Sequence, residues 1–300
     1  MTRRNTPRVS FIGFGEAGQA IASGLREAGI EQIAARDILF PQDAGAKLKA
    51  AGEKFGVRLA SSAADAVAET DMVISAVTAA SSLEAAQSVA PHLKGNPWYL
   101  DINSVSPGRK QATATLLQGR ARYVDVAVIA PIHPLKHQTP LLIAGPHAEE
   151  IAPLLAEMDM KLSVVPGETG KAAAIKMIRS VMIKGMEALS LECFLAAARA
   201  GLLEEVTASL KNNYPTLDFV KIADYNIERM ASHGERRAAE MEESSATLRE
   251  LGLDPLMVDA TVKRQREMGA LGKNEDVRAT LHSGRAAMLA AISAAAKTSH

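Results

Sequence analysis

A short apolar run, Val9 to Ile12, leads directly into Gly13-Phe14-Gly15-Glu16-Ala17-Gly18, and a helical stretch follows from Ala17 to Ala28. No other feature limits the possible folds as much. Gly13 permits a tight turn off the strand, Gly15 lets phosphates approach the backbone, and Gly18 lets the helix pack closely on the strand. The helix N-terminus offers unpaired N–H groups and the positive end of its dipole to an anion. Together they specify a dinucleotide-binding unit, with Gly13, Phe14, Gly15, Glu16, Ala17 and Gly18 as cofactor contacts.

The pattern that follows agrees with such a unit. Strands are expected over Val9 to Ile12, Gln32 to Ala35, Met72 to Ala76, Trp98 to Ile102, Tyr123 to Ile129, Leu141 to Ala144 and Leu162 to Val165. Helices fill the gaps, notably Gln42 to Lys54, Ser82 to Ala90 and Pro107 to Gln118. Alternation of this kind builds a mostly parallel sheet covered by helices, an α/β Rossmann-type domain. From Gly170 the strand signal disappears, so residues 1–168 form the dinucleotide-binding domain and 169–300 an all-α substrate or dimerisation domain. Breaks are expected near Gly201, Tyr214-Pro215, His233-Gly234, Gly252 to Pro255 and Gly272, and the alanine-rich tail reads as a helix that frays over 297–300. The stretch from Gly170 to Arg199 lacks proline and is apolar on most faces, which predicts a long helix buried between domains or subunits and hence a homodimer.

Asp37 lies near the end of the second strand, about 20 residues after the fingerprint, where a carboxylate can bind the adenine ribose hydroxyls. That position favours NAD. Arg36 beside it leaves NADP open, since an arginine at this edge can receive a 2′-phosphate, and Asp37 also reads as a plain strand-end turn residue. Val77, just past the third strand, joins the cofactor set.

Bulk composition narrows the partners. Lysine plus arginine and aspartate plus glutamate number 34 each, so no overall field draws the chain to nucleic acid or an anionic membrane. Any anion site is therefore local. Cys193 is the single cysteine, which excludes an intramolecular disulfide and suits a reducing, cytoplasmic setting. The basic lead, Thr2 to Arg8, precedes an apolar run cut by Gly13 and Gly15, too short for a signal core, and no later run reaches the roughly 18 apolar residues of a membrane span. No metal-ligand spacing stands out.

Three segments carry a resemblance over nearly the whole chain: the Gly13 to Gly18 fingerprint, Asp101-Ile102-Asn103-Ser104-Val105-Ser106-Pro107 after a strand, and Gly170 followed by Lys176 opening the long helix. The chain resembles the β-hydroxyacid dehydrogenase and 6-phosphogluconate dehydrogenase superfamily, and within it a bacterial branch whose helical C-terminal domain has no assigned function. The resemblance implies an NAD(P)-dependent dehydrogenase or reductase acting on the CH–OH group of a small, carboxylated hydroxy acid or its keto form. It implies that Ser104, with Asn103 beside it, anchors the substrate carboxylate and that Lys176 is the general acid or base. A lysine suits the task because desolvation beside a cofactor lowers its pKa toward working pH.

The helix pattern bears on this. Lys176, Ser180, Lys184 and Glu187 fall on one polar stripe, so something polar faces it, whether a substrate, solvent or an interface. Lys176 and Ser180 lie about 6 Å apart along the axis and Glu187 about 16 Å from Lys176, which reads as structural. Two departures from the family change the expected substrate contacts. Ser180, preceded by Arg179, stands where the family places an asparagine, and Ala130-Pro131-Ile132-His133-Pro134 replaces a glycine pair. Arg179, Ser180 and His133 are therefore candidate substrate contacts, although a turn histidine is also commonly structural. His233, Arg236 and Arg237 form either a cationic patch or part of a salt-bridged helix with the glutamates that follow. The departures leave two alternatives open, a non-catalytic nicotinamide-binding or redox-sensing protein and an imine reductase-like enzyme. Lys176 argues against the second, because that reaction goes with replacement of the lysine.

Overall fold

The structure is a computed structural model describing residues 6–298, so residues 2–5 of the basic lead and 299–300 of the tail lie outside the described residues. The chain divides into two compact units, Met1–Lys176 and Met177–His300.

The first unit alternates strand and helix in chain order: β1 (Val9–Ile12), α1 (Glu16–Glu27), β2 (Ile33–Arg36), α2 (Ala46–Lys54), β3 (Arg58–Leu59), α3 (Ala63–Val67), β4 (Met72–Ser75), α4 (Ser82–Val89), β5 (Trp98–Asp101), α5 (Pro107–Leu116), β6 (Arg122–Val128), β7 (Leu141–Ala144), α6 (Ala148–Glu157) and β8 (Leu162–Val164). The strands form one sheet ordered β3-β2-β1-β4-β5-β6-β7-β8. All neighbours run parallel except β6 and β7. The expected strands appear within a residue at each end, and β3, two residues long, is an addition.

Both faces of this sheet are covered, so β1, β4 and β5 are buried along their whole length. Successive residues supply opposite faces: Phe11, Ile74, Leu100 and Val124 belong to one apolar cluster, and Ile12, Val73, Tyr99 and Tyr123 to another. The chain reverses its direction of travel across the sheet between β1 and β4. In open α/β sheets the crevice beyond the strand ends at such a point is where ligands bind.

α7 (Lys171–Ala200) opens in the first unit and continues into the second, which adds α8 (Leu203–Asn213), α9 (Phe219–Glu250), α10 (Leu256–Leu271), α11 (Glu275–Thr280) and α12 (Arg285–Thr298). Leu191, Phe194, Ile227, Met230, Leu289 and Ile292 lie in its core. The break expected at His233-Gly234 does not occur, because α9 runs straight through it. Gly234 serves close packing instead: a Cβ there would lie 2.3 Å from the Gln265 carbonyl oxygen and 2.5 Å from the Gly269 nitrogen of α10. Two members of the polar stripe of α7, Lys184 and Glu187, meet α9 and α10. Lys184 Nζ lies 3.0 Å from Glu240, and buried Glu187 accepts from Arg237 and from Gln265 Nε2. α7 is not wholly covered, however, since Ile178, Met182 and Leu189 are 50%, 68% and 56% exposed.

Among the described residues no helix is long and apolar enough to cross a membrane.

Candidate active site

The three fingerprint glycines have separate structural reasons. Gly13 has φ +91°, and a Cβ there would sit 2.3 Å from the Ala76 carbonyl oxygen. Its N–H donates to the Arg36 carbonyl at 2.9 Å, which ties the turn to β2. Gly18 presses on that turn, because a Cβ would come within 2.6 Å of the Gly13 oxygen. Gly15 differs from both. It is the N-cap of α1, no side chain caps that helix, and a Cβ would meet nothing within 4 Å. Open space beside an uncapped helix N-terminus suits a pyrophosphate.

The rest of the cofactor set divides. Glu16 is exposed in the first turn of α1, and Ala17 is partly buried against the sheet core. Phe14 offers the site only its backbone: its ring is fully buried and packs edge-on against Phe40 at 6.2 Å. Asp37 follows β2, its Oδ2 accepting the Phe14 N–H at 2.7 Å and its Oδ1 the Leu39 N–H at 2.9 Å. The carboxylate therefore serves as a turn residue and still has lone pairs for ribose hydroxyls. Arg36 donates to the Asp37 carbonyl.

Val77 connects this cradle to the loop after β5. Its Cγ1 is the side-chain atom a Gly13 Cβ would strike, and its N–H donates to Asn103 Oδ1 at 2.7 Å. Asn103 also donates from Nδ2 to Ser75 Oγ at 2.9 Å and from its backbone to Asp101 Oδ1 at 3.0 Å. Asn103 is 3% exposed and its amide is engaged on both sides, so it joins two loops beside the expected substrate anchor. Ser104 is the next residue. It is half-buried, and Lys176 Nζ donates to its Oγ at 2.6 Å, so the two residues named from separate segments meet.

Beneath this pair lies a charged group that the sequence reading passed over. Lys110, Asp101 and Asp125 are all fully buried. Lys110 Nζ lies 3.2 Å from Asp101 Oδ1 and 3.6 Å from Asp125 Oδ1. Tyr123 donates to Asp101 Oδ2 at 2.8 Å, and burial, reinforced by the neighbouring Asp101, pushes its phenol well above the usual range. The available signal was a pair of aspartates inside apolar strands, which need a buried cation or several N–H donors to be there.

Each of the other candidates has its own surroundings. His133 is exposed in the loop after β6, and Arg179 is exposed on α7. Ser180 is buried in the second unit, where it accepts from Lys184 Nζ at 3.2 Å. Burial pushes the Lys184 pKa down, opposed by Glu240. The His233 patch separates: Arg236 is exposed and pairs with Glu240 at 2.9 Å, whereas Arg237 is buried on Glu187. No group of three or more potential metal ligands occurs among the described residues.

Comparison with known proteins adds to this geometry. Residues 8–103 match the family described as NADP oxidoreductase coenzyme F420-dependent, and residues 197–268 match a domain of unknown function, DUF1932. A conserved hypothetical protein of Sinorhizobium meliloti 1021 shares 35% identity, with 97% of each chain covered and a TM-score of 0.76. A conserved protein of unknown function, described as structurally similar to 3-hydroxyacid dehydrogenases, shares 31% identity over 88% of this chain and 97% of its own, with a TM-score of 0.69. An uncharacterized protein from the 7S RNA 5′ region of Methanothermus fervidus is 28% identical over 85% of this chain and 96% of its own. At 16% identity and a TM-score of 0.71, the Mycobacterium tuberculosis 3-hydroxyisobutyrate dehydrogenase shares the fold, as does an imine reductase of Myxococcus stipitatus at 20% and 0.59.

Proposed function

This chain belongs to the β-hydroxyacid dehydrogenase superfamily, in the branch that carries the DUF1932 domain, and we propose that it transfers a hydride between a nicotinamide cofactor and a small, carboxylated hydroxy acid or its keto form. It is an NAD(P)-type oxidoreductase by membership; the substrate class and the residue roles are our reading. The observation that carries them is the 2.6 Å contact from Lys176 Nζ to Ser104 Oγ, linked through Asn103 and Val77 to the glycine turn.

The nicotinamide supplies the hydride acceptor or donor. The chain supplies the remaining chemistry. Lys176 moves the proton between its Nζ and the substrate oxygen, a reading supported by a partly buried amine beside a hydroxyl. Ser104 Oγ anchors the carboxylate and orients the lysine. Asp37 favours NAD through the ribose hydroxyls, while Arg36 beside it leaves NADP open as a receiver of the 2′-phosphate. His133, Arg179 and Ser180 are secondary candidates for the distal part of the substrate. The exposed apolar side chains of α7 favour a homodimer, which light scattering at micromolar concentration tests, and the single cysteine favours the cytoplasm.

A turnover screen of hydroxy acids and keto acids with both cofactors tests the reaction. Turnover of one of them is expected. Reduction of cyclic imines with no keto-acid activity would instead assign an imine reductase, and cofactor binding with no turnover of either class would assign a sensor.

A further inference from the structure

Two aspartates and a lysine lie fully buried in the first unit, and the reaction described above uses none of them. We propose that the Lys110–Asp125 pair is a positioning device, setting the start of α7 against the loop after β5 so that the Lys176 amine is held at Ser104. This rests on the reading of Lys176 and Ser104 as the reacting pair.

The connections run two ways from Lys110. On one side its ammonium donates to the Asp101 carbonyl at 2.5 Å and lies 3.2 Å from the Asp101 carboxylate, which takes the Asn103 N–H. Ser104 is next in the chain. On the other side it donates to the Val126 carbonyl at 3.3 Å and faces Asp125 Oδ1, which has no hydrogen bond, at 3.6 Å. Asp125 Oδ2 collects the N–H groups of Gly170, Ala172 and Ala173 at 3.0, 3.1 and 3.2 Å. These open α7, whose next turn carries Lys176. A carboxylate there also complements the positive end of the helix dipole.

The approach of α7 is fixed by a second set of contacts. Gly170 has φ +102°, and a Cβ there would lie 3.1 Å from Pro107, the first residue of α5. Gln111 Nε2 donates to the Thr169 carbonyl at 3.2 Å. Packing alone does not call for charge in this position, since apolar side chains of similar volume often serve a buried core equally well. Asp125 by itself would cap α7. Lys110 adds the tie between that cap and the Ser104 loop.

The test is site-resolved labelling of lysine amines by limiting sulfo-NHS acetate on the full chain, read by mass spectrometry as the ratio of Lys176 to exposed Lys171 in the same helix. The double variant Lys110→Met, Asp125→Asn removes one charge of each sign and leaves the net buried charge unchanged. We expect it to melt cooperatively and bind nicotinamide cofactor as the unmutated chain does, with the ratio raised about fivefold, the equivalent of one lost hydrogen bond, to the level of Ser104→Ala. An unchanged ratio in the folded double variant overturns the proposal. Should that variant not fold, amide exchange in the unmutated chain decides: Gly170, Ala172 and Ala173 should exchange as slowly as β5 and β6, and exchange at the rate of a solvent-exposed first turn would overturn it. The ratio needs no turnover, so a Lys176→Ala variant that stays active would remove the lysine assignment without bearing on the positioning.

Discussion

Asp37 Oδ2 accepts the Phe14 N–H at 2.7 Å, so the residue after β2 holds the turn that follows β1. This couples cofactor choice to local stability. Asp37→Ala should weaken NAD binding more than NADP binding and also lower the melting temperature, because the Phe14 and Leu39 N–H groups both lose an acceptor. Asp37→Asn keeps a side-chain acceptor and should retain more of the melting temperature while losing part of the NAD preference. Titration of each protein with both cofactors, beside a thermal melt, measures the two effects; tighter NADP binding by the unmutated chain would reverse the preference.

The glycines should separate the same way. Gly13→Ala and Gly18→Ala force a Cβ to within 2.3 Å and 2.6 Å of backbone oxygens, so each should destabilise the first unit by about 1–3 kcal/mol and abolish cofactor binding. Gly15→Ala meets no neighbour within 4 Å and should melt like the unmutated chain, yet bind cofactor poorly because the methyl occupies the phosphate space. Normal cofactor affinity in folded Gly15→Ala would remove the pyrophosphate from this position.

Much of the candidate site was legible in the sequence because its parts are local patterns. Glycine spacing after β1, a serine loop after β5 and a lysine early in a long helix are each short-range patterns. What was hidden depends on long-range packing. Lys110 looks like any helix lysine until β5 and β6 bring Asp101 and Asp125 to it from either side. Asn103 sits beside Ser104 in sequence, but only the parallel pairing of β4 with β5 shows that its amide is taken by Ser75 and Val77. Gly234 was misread for a related reason. A glycine in a helical run signals either a break or a close crossing, and its neighbours on α10 decide which.

His137 gives the first unit a pH dependence. It is 7% exposed, neither ring nitrogen has a hydrogen bond, and burial lowers its pKa below the ordinary 6.5, with Asp159 and Glu27 opposing the shift. The unfolded chain therefore binds the proton more readily than the folded one. Stability contributed by neutral His137 is present above the ordinary value of 6.5 and is lost as pH falls from there toward the folded value. Urea midpoints measured across that interval should fall with pH, and His137→Gln should flatten the slope. An equal slope in the variant would assign the dependence to other groups.

The last expectation concerns the contact of Lys176 with Ser104. Lys176→Ala should lower kcat by about 10²- to 10⁴-fold, the usual worth of a positioned general acid or base, with cofactor affinity nearly unchanged because the glycine turn is untouched. Ser104→Ala should act mainly on KM, since an anchor of the ground-state carboxylate contributes similarly to substrate and transition state. Its effect should not stop there. Removing Oγ also takes away the acceptor of the Lys176 N–H, so a smaller fall in kcat should accompany the rise in KM. The measurement needs a substrate from the screen and both variants shown to be folded and cofactor-bound. Retention of more than about a third of the unmutated kcat by Lys176→Ala, where chemistry limits the rate, would transfer the proton step to another group, and His133 would be the first to substitute.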